Sequence, residues 1–205
     1  MKQGMTIKKI IISVFAILFC AYFLYCLLCY INIFYAANFL KTRYLTEYLR
    51  INIYGKSYTE EGDTISAKIA IVDSNLNEIT TVERSWNGSC LAVKFNQLEI
   101  CGSRFYFPSK IYGKEDYLDQ KIPKNITSLE KYYDENGQCI LFSQTNTRKK
   151  ERKALYVLSK FANHKYLIPT FGFINKKIVD LYECKNGKFY SISADSNGIL
   201  SIIEL

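Results

Sequence analysis

The chain divides into two parts by the pattern of its apolar and polar side chains. From Ile10 to Leu40 no side chain is charged, and between Ile10 and Ile31 the only clearly polar one is Ser13. Roughly twenty apolar helical residues cross the roughly 30 Å hydrocarbon core of a bilayer. The pattern therefore predicts a short cytoplasmic tail at residues 1–9 and a single transmembrane anchor at residues 10–36 that contacts the lipid bilayer.

A cleaved signal peptide is the alternative interpretation of this run. Its hydrophobic region would be only about 7 to 15 residues long, so a retained signal-anchor is favoured. The two ends of the span are flanked by equal numbers of basic residues, but Lys8 and Lys9 directly adjoin it. By the positive-inside rule this favours a cytoplasmic N-terminus. We expect a single-pass protein of a bacterial inner membrane, with its C-terminal domain in the periplasm or exterior.

After the anchor, Leu40, Tyr44, Leu45, Tyr48 and Leu49 recur at helical spacing. This spacing predicts a juxtamembrane helix or stalk at residues 37–55. From Thr64 onwards apolar side chains alternate with polar ones, which is typical of strands. The remaining residues, 56–205, are therefore predicted to form one β-rich extracytoplasmic domain.

Turn residues divide this domain into short antiparallel strands. Asn186-Gly187 and Asn197-Gly198 favour type I′ turns and predict hairpins near the C-terminus. Leu91–Ile100 is predicted to form a hairpin that turns near Phe95 and Asn96. A helix over about Thr147–His164 has an apolar face that should pack on the sheet. The expected fold class is α+β, mostly antiparallel β, with one packed amphipathic helix.

Seven cysteines lie in the chain, three of them in the anchor. The other four, Cys90, Cys101, Cys139 and Cys184, are candidates for two disulfides in an oxidising compartment. The predicted 91–100 hairpin would place Cys90 opposite Cys101 and leave Cys139 to pair with Cys184. The alternative, four buried reduced thiols, stays open because a free cysteine packs as a small hydrophobe.

Charge and motifs suggest few kinds of chemistry. A net charge of +8 is spread along the chain, so we expect no nucleic-acid partner. The single histidine, His164, lacks the companion ligands of a metal site, and no nucleophile or phosphate-loop motif is present. The sequence predicts a protein that is not an enzyme, with no catalytic residues, cofactor, metal or small-molecule substrate.

Two groups of side chains are candidates for an interaction surface with a protein partner. One is the basic face of the predicted helix. The other is aromatic, because tyrosine and tryptophan are enriched in protein interfaces; core packing is the competing interpretation for these rings. The candidates are Arg148, Lys149, Arg152, Lys153, Lys160, Trp86, Phe105, Tyr106 and Phe107.

These features predict a membrane-anchored, non-catalytic binding protein of the cell envelope. One concrete form is an immunity or inhibitor protein that neutralises an envelope-acting toxin. The alternative is a structural accessory of a secretion, pilus or division assembly. In that case the anchor would bind partner helices through the face that carries Tyr22, Cys26 and Cys29.

Overall fold

The computed structural model describes residues 2–40, 47–59, 62–72, 77–114, 125–141, 149–195 and 198–205. It contains two α-helices, a 3₁₀ turn and eleven strands within these ranges. The helices are α1 (Lys2–Leu40) and α2 (Lys149–Ala162), and the 3₁₀ turn is Glu130–Tyr132. The strands are β1 (Glu47–Ser57), β2 (Thr64–Val72), β3 (Glu78–Asn87), β4 (Cys90–Ile100), β5 (Ser103–Lys114), β6 (Thr127–Ser128), β7 (Asp134–Glu135), β8 (Gln138–Cys139), β9 (Ile174–Asp180), β10 (Phe189–Ala194) and β11 (Leu200–Glu204).

The strands form two main antiparallel sheets. The first has the order β11-β10-β1-β2-β3 and the second the order β6-β5-β4-β9, while β7 and β8 form a separate hairpin. In β1 and β2 every second side chain is apolar and buried, as in Ile51, Ile53 and Ile69, because alternation directs those side chains into one layer. The predicted α+β class with mostly antiparallel strands is confirmed.

The two sheets face each other across one core. Tyr48 of β1 contacts both Phe95 of β4 and Tyr106 of β5 edge to face, with ring centroids 5.9 and 6.1 Å apart. The indole N–H of Trp86 donates to the hydroxyl of Thr127 at 3.1 Å, which joins β3 to β6. The opposite face of β4 turns toward the helices, since the Asn96 amide donates to an Asn163 oxygen at 2.7 Å. The layers are therefore sheet, sheet and helices.

Helix α1 extends beyond any membrane span into this third layer. It is long and apolar enough to cross a membrane, and its 39 residues measure about 58 Å. The side chains from Ile10 to Leu24 are exposed, whereas Ile33, Ala37 and Leu40 are buried in the protein core. The end of α1 packs against α2, where the rings of Tyr30 and Phe161 meet at 6.2 Å.

Two predictions about the first half of the chain are wrong. The juxtamembrane helix predicted for residues 37–55 ends at Leu40, and residues 47–57 form β1, a central strand of the first sheet; residues 41–46 lie outside the described residues. Some apolar positions of the predicted helix coincide with buried side chains of β1, so their spacing fitted both a helix and a strand. The hairpin predicted within 91–100 does not exist, because β4 runs unbroken from Cys90 to Ile100.

The C-terminal half matches its predictions more closely. Helix α2 lies inside the predicted Thr147–His164, and β10 pairs with β11 as predicted for the C-terminal hairpin, whose Asn197 lies outside the described residues. Asn186-Gly187 does not close a hairpin, because β9 and β10 belong to different sheets. The apolar face of α2 packs mainly on α1 and β8, with a smaller contact to β4, rather than on a sheet face as expected.

Candidate functional site

The two sheets end beside one another in open edges, and a groove lies between them. Strand β9 is the last strand of the second sheet and β11 the last strand of the first. The groove between them has a volume of about 660 Å³. Its lining includes the following side chains from both edges and from the strands behind them: Gln97, Arg104, Lys176, Lys177, Ile199 and Leu200. We call this the edge groove.

Backbone pairing explains why the groove stays open. Gln97 pairs with Tyr106 on one side and with Asn175 on the other, so these three residues share a face of the second sheet. The Tyr106 hydroxyl donates to the carbonyl oxygen of Gly198, which precedes β11. Tyr106 thereby fixes the floor of the groove, and the open edges of β9 and β11 form its rims.

The charges that line the edge groove are mainly basic. Lys176 and Lys177 are exposed on β9, and Arg104 lies 3.5 Å from the carboxylate of Glu99. On the outer face of the same sheet, burial and the neighbouring charges of Lys176 and Lys110 lower the pKa of Lys94. A lowered lysine pKa reflects burial and crowding of positive charge. This crowding lies on the face opposite the edge groove, where Lys94 pairs with Lys110.

One buried polar atom faces the edge groove without a partner. Gln97 is 5% exposed, and its side-chain oxygen accepts no hydrogen bond. Its amide nitrogen lies 3.4 Å from the Glu99 carboxylate, a long hydrogen bond. An unsatisfied buried acceptor costs about 1–3 kcal/mol. The oxygen is enclosed by the protein, so the fold itself carries this cost.

Apolar side chains border the edge groove on both rims. Val179 on β9 and Ile199 before β11 line it, and Ile199 is 57% exposed. Ile202 and Ile203, further along β11, are exposed outside the groove lining. Edge strands with free backbone N–H and C=O groups accept further strands, and proteins normally shield them. Strand β9 carries lysines on its edge, whereas the one charged residue of β11, Glu204, is paired with Lys188.

The predicted aromatic interaction surface is wrong. Trp86, Phe105, Tyr106 and Phe107 are all at most 3% exposed. They lie in strands whose side chains meet between the layers, so they fill the core rather than contact a partner. Tyr106 alone touches the edge groove, through its hydroxyl group.

The predicted basic surface on α2 is only partly a surface. Lys149 and Lys153 are exposed, but the Arg152 side chain is half-buried and Lys160 lies over the rings of Tyr156 and Tyr166. Arg148 lies outside the described residues. These cations are spread over three helical turns and form no common concave site with the edge groove.

All seven cysteines are free thiols in the structure. Cys90 begins β4 and Cys101 follows its end, so the proposed pairing of these two is wrong because about ten strand residues, roughly 33 Å, separate them. Burial raises the pKa of Cys184 to about 11 and that of Cys139 well above its ordinary value. Both thiols therefore stay protonated and unreactive at neutral pH.

A buried polar cluster joins α2 to the β7–β8 hairpin. The Ser159 hydroxyl lies 2.8 Å from the Asp134 carboxylate, and the Lys165 ammonium lies 3.6 Å from it. Burial raises the pKa of Asp134, against the opposing effects of Ser159 and Lys165. Among the described residues, no group of three or more His, Cys, Asp or Glu side chains could hold a metal ion. These contacts hold α2 against the β7–β8 hairpin, which is a structural role.

No protein-family model, curated protein or solved structure matches this chain. Sequence patterns missed the edge groove because it depends on which strands end the two sheets. The exposed Ile-rich C-terminal strand was the one signal that pointed to it.

Proposed function

We propose that this chain is a membrane-anchored, non-catalytic binding protein of the cell envelope that holds a protein partner in the edge groove. The observation that carries the proposal is the meeting of two open sheet edges around a basic groove with apolar rims. An extended peptide that adds to a sheet edge gains main-chain hydrogen bonds, and side-chain pockets give it specificity. The edge groove offers free main-chain groups for hydrogen bonds and side chains that could give specificity.

The groove chemistry defines the partner segment. On the groove face of β9 an acidic side chain would meet Lys177, and on the other rim apolar side chains would cover Ile199 and Leu200. The expected ligand is therefore an extended, acidic protein segment with alternating apolar residues.

The biological role that we propose is that of an immunity or inhibitor protein against an envelope-acting toxin, in a bacterial inner membrane with the domain on the periplasmic or outer side. The second candidate is an accessory component of an envelope assembly that binds partner helices through Tyr22, Cys26 and Cys29. Against it, the Tyr22 hydroxyl donates to the carbonyl oxygen of Leu167 at 3.1 Å, and Cys26 and Cys29 pack on the core. The protein itself covers much of that face.

Site-specific photo-crosslinking in cells tests the binding surface. A photoreactive amino acid is placed at Val179 or Ile199 in the full chain, and at Thr81 on β3, the other edge of the first sheet, as a control. We expect one discrete protein adduct from the two groove positions and none from Thr81. Lys177→Glu should reduce that adduct severalfold by reversing a charge that the partner meets.

The outcome at the two edges decides the proposal. Equal labelling at Thr81 and at the groove, or an adduct indifferent to Lys177→Glu, would contradict binding at this site. For the inhibitor role, cells are challenged with the protein that crosslinking identifies. Cells that express the native chain should survive, and cells that express Lys177→Glu should lose protection. If the Lys177→Glu variant still protects the cells, the inhibitor role is refuted, although the crosslink would still show a partner at the groove.

A further inference from the structure

A second uncharged segment lies against the side of α1. Residues 166–173 connect the end of α2 to β9 and follow α1 back toward its N-terminus; we call them the α1-side loop. Leu167 and Phe171 are 82% and 73% exposed although they are large and apolar. No charged side chain occurs between Lys165 and Lys176.

The contacts of the α1-side loop fix its height along the helix. The carbonyl oxygen of Leu167 accepts a hydrogen bond from the Tyr22 hydroxyl at 3.1 Å, and that of Pro169 accepts one from Tyr30. Further along, the ring centroids of Phe34 and Phe173 are 6.0 Å apart. The loop therefore descends to the level of Tyr22 and rises again toward β9.

Helix geometry places that level inside a bilayer. The uncharged run begins after Lys9, and Tyr22 follows it by 13 positions, or about 20 Å. This distance is too short to cross a hydrocarbon core of roughly 30 Å. The hydrocarbon core must therefore extend along α1 to about residue 29. Helical Cα–Cβ bonds tilt toward the N-terminus, so the Tyr22 side chain points deeper still. Leu167 then lies on the hydrocarbon side of the boundary.

Several polar groups of the loop have hydrogen-bond partners inside the protein. Irregular backbone at membrane depth is tolerated only where its hydrogen bonds are made, and two carbonyl groups of the loop accept them from tyrosines of α1. Pro169 has no N–H to satisfy, and the N–H of Phe173 donates to Thr170 at 2.9 Å. The same bonds satisfy two tyrosine hydroxyls that would otherwise be unpaired in hydrocarbon.

We infer that the α1-side loop inserts into the bilayer leaflet at the domain side, where Leu167 and Phe171 contact lipid acyl chains. The inference rests on α1 being a transmembrane anchor, as proposed above, and adds a second membrane contact that sets the tilt of the domain against the bilayer. The cation of Lys160 lies 5.1 Å from the ring of Tyr166, the first residue of the loop.

Fluorescence quenching by lipids with brominated acyl chains tests the inference. The full chain is reconstituted in lipid bilayers with one added tryptophan, Leu167→Trp or Phe171→Trp. Trp86, buried in the core, is retained as the unquenched baseline. The matched control is Phe189→Trp, an exposed aromatic position on β10. We expect both loop tryptophans to lose severalfold more emission than the control, with the larger loss at Leu167→Trp.

A further variant, Phe19→Trp, separates failure of the loop from failure of the anchor. Phe19 lies in the middle of the exposed apolar part of α1. Quenching at Phe19→Trp without quenching at Leu167→Trp would overturn loop insertion and leave the anchor intact. Quenching at neither position would show that α1 does not span the bilayer, and both proposals would fall together.

Discussion

The end of α1 belongs to the core of the β-rich domain, so removing it should destabilise the fold. Ile33, Ala36, Ala37 and Leu40 are at most 3% exposed and belong to the same cluster of buried side chains as the two sheets. A chain that begins at Lys41 lacks all four. We expect it to unfold far more easily than a chain that retains them.

The magnitude follows from the side chains that are lost. Full burial of an isoleucine or a leucine contributes about 1.5–3 kcal/mol each, and each alanine methyl about 0.8 kcal/mol. The four residues together contribute about 5–8 kcal/mol, an upper estimate because unfolded chains are not fully extended. Typical domains have a free energy of unfolding of only about 5–15 kcal/mol. Loss of the helix end therefore removes a large share of the total stability.

Denaturation monitored by tryptophan fluorescence measures the effect. Trp86 is the only tryptophan in the chain and lies fully buried between the sheets, so its emission reports directly on the core. A chain that begins at Asn32 keeps the four side chains and serves as the reference. We expect a cooperative guanidinium transition for the reference, and for the chain from Lys41 either a much lower midpoint or no transition.

A pair of point variants in the full chain in detergent separates core packing from chain length. Ala37→Asp places a charge at a position with no exposure and should cost several kcal/mol. Tyr35→Asp, two residues earlier at a 73% exposed position, should change the midpoint little. Equal midpoints for the two variants, together with an unchanged midpoint for the chain from Lys41, would refute the assignment of α1 to the domain core.

Three further predictions concern the interior. Thr127→Val keeps the shape but leaves the indole N–H of Trp86 without its acceptor, so the free energy of unfolding should fall by about 1–3 kcal/mol in guanidinium titrations; no change would mean that water replaces the hydroxyl. Gly113→Ala puts a Cβ 2.1 Å from a backbone oxygen of β3 and should lower the melting temperature, whereas Gly55→Ala, with its nearest atom at 3.3 Å, should be tolerated; the reverse order would contradict the close approach. Because the folded-state pKa of Asp134 is raised, protonation favours the folded state, and the stability from this group should rise as pH falls through the raised value toward about 4. Asp134→Asn should remove that rise in stability measured against pH, and an unaltered profile would refute it.

Much of the fold followed from local pattern. The boundaries of α2 and the β10–β11 hairpin were predicted because a helical apolar face and an Asn-Gly turn each act within a few residues. The long apolar N-terminal helix could also be predicted from the sequence alone. These are features whose physical cause lies within the segment itself.

The errors came from causes that lie elsewhere in the chain. The residues predicted to turn, Phe95 and Asn96, continue β4 instead, because β4 pairs with β5 on one side and with β9 on the other. The edge groove depends on the sheet order, which no local pattern specifies. The α1-side loop had a signal that was overlooked, an uncharged run from Tyr166 to Asn175, but its place beside Tyr22 required the fold.

The contacts of α1 also bear on which part of the protein selects a partner. Tyr22 is engaged by the α1-side loop, and Cys26 and Cys29 pack on the core. Close association of membrane helices favours small residues at the interface, whereas the exposed positions Phe15 and Phe19 are large. We infer that specificity resides in the β-rich domain and that α1 sets the domain's position. With α1 as the proposed anchor, the edge groove would be held at a fixed height above the bilayer, because α1 also packs in the core, and the proposed partner would have to present its segment at that height.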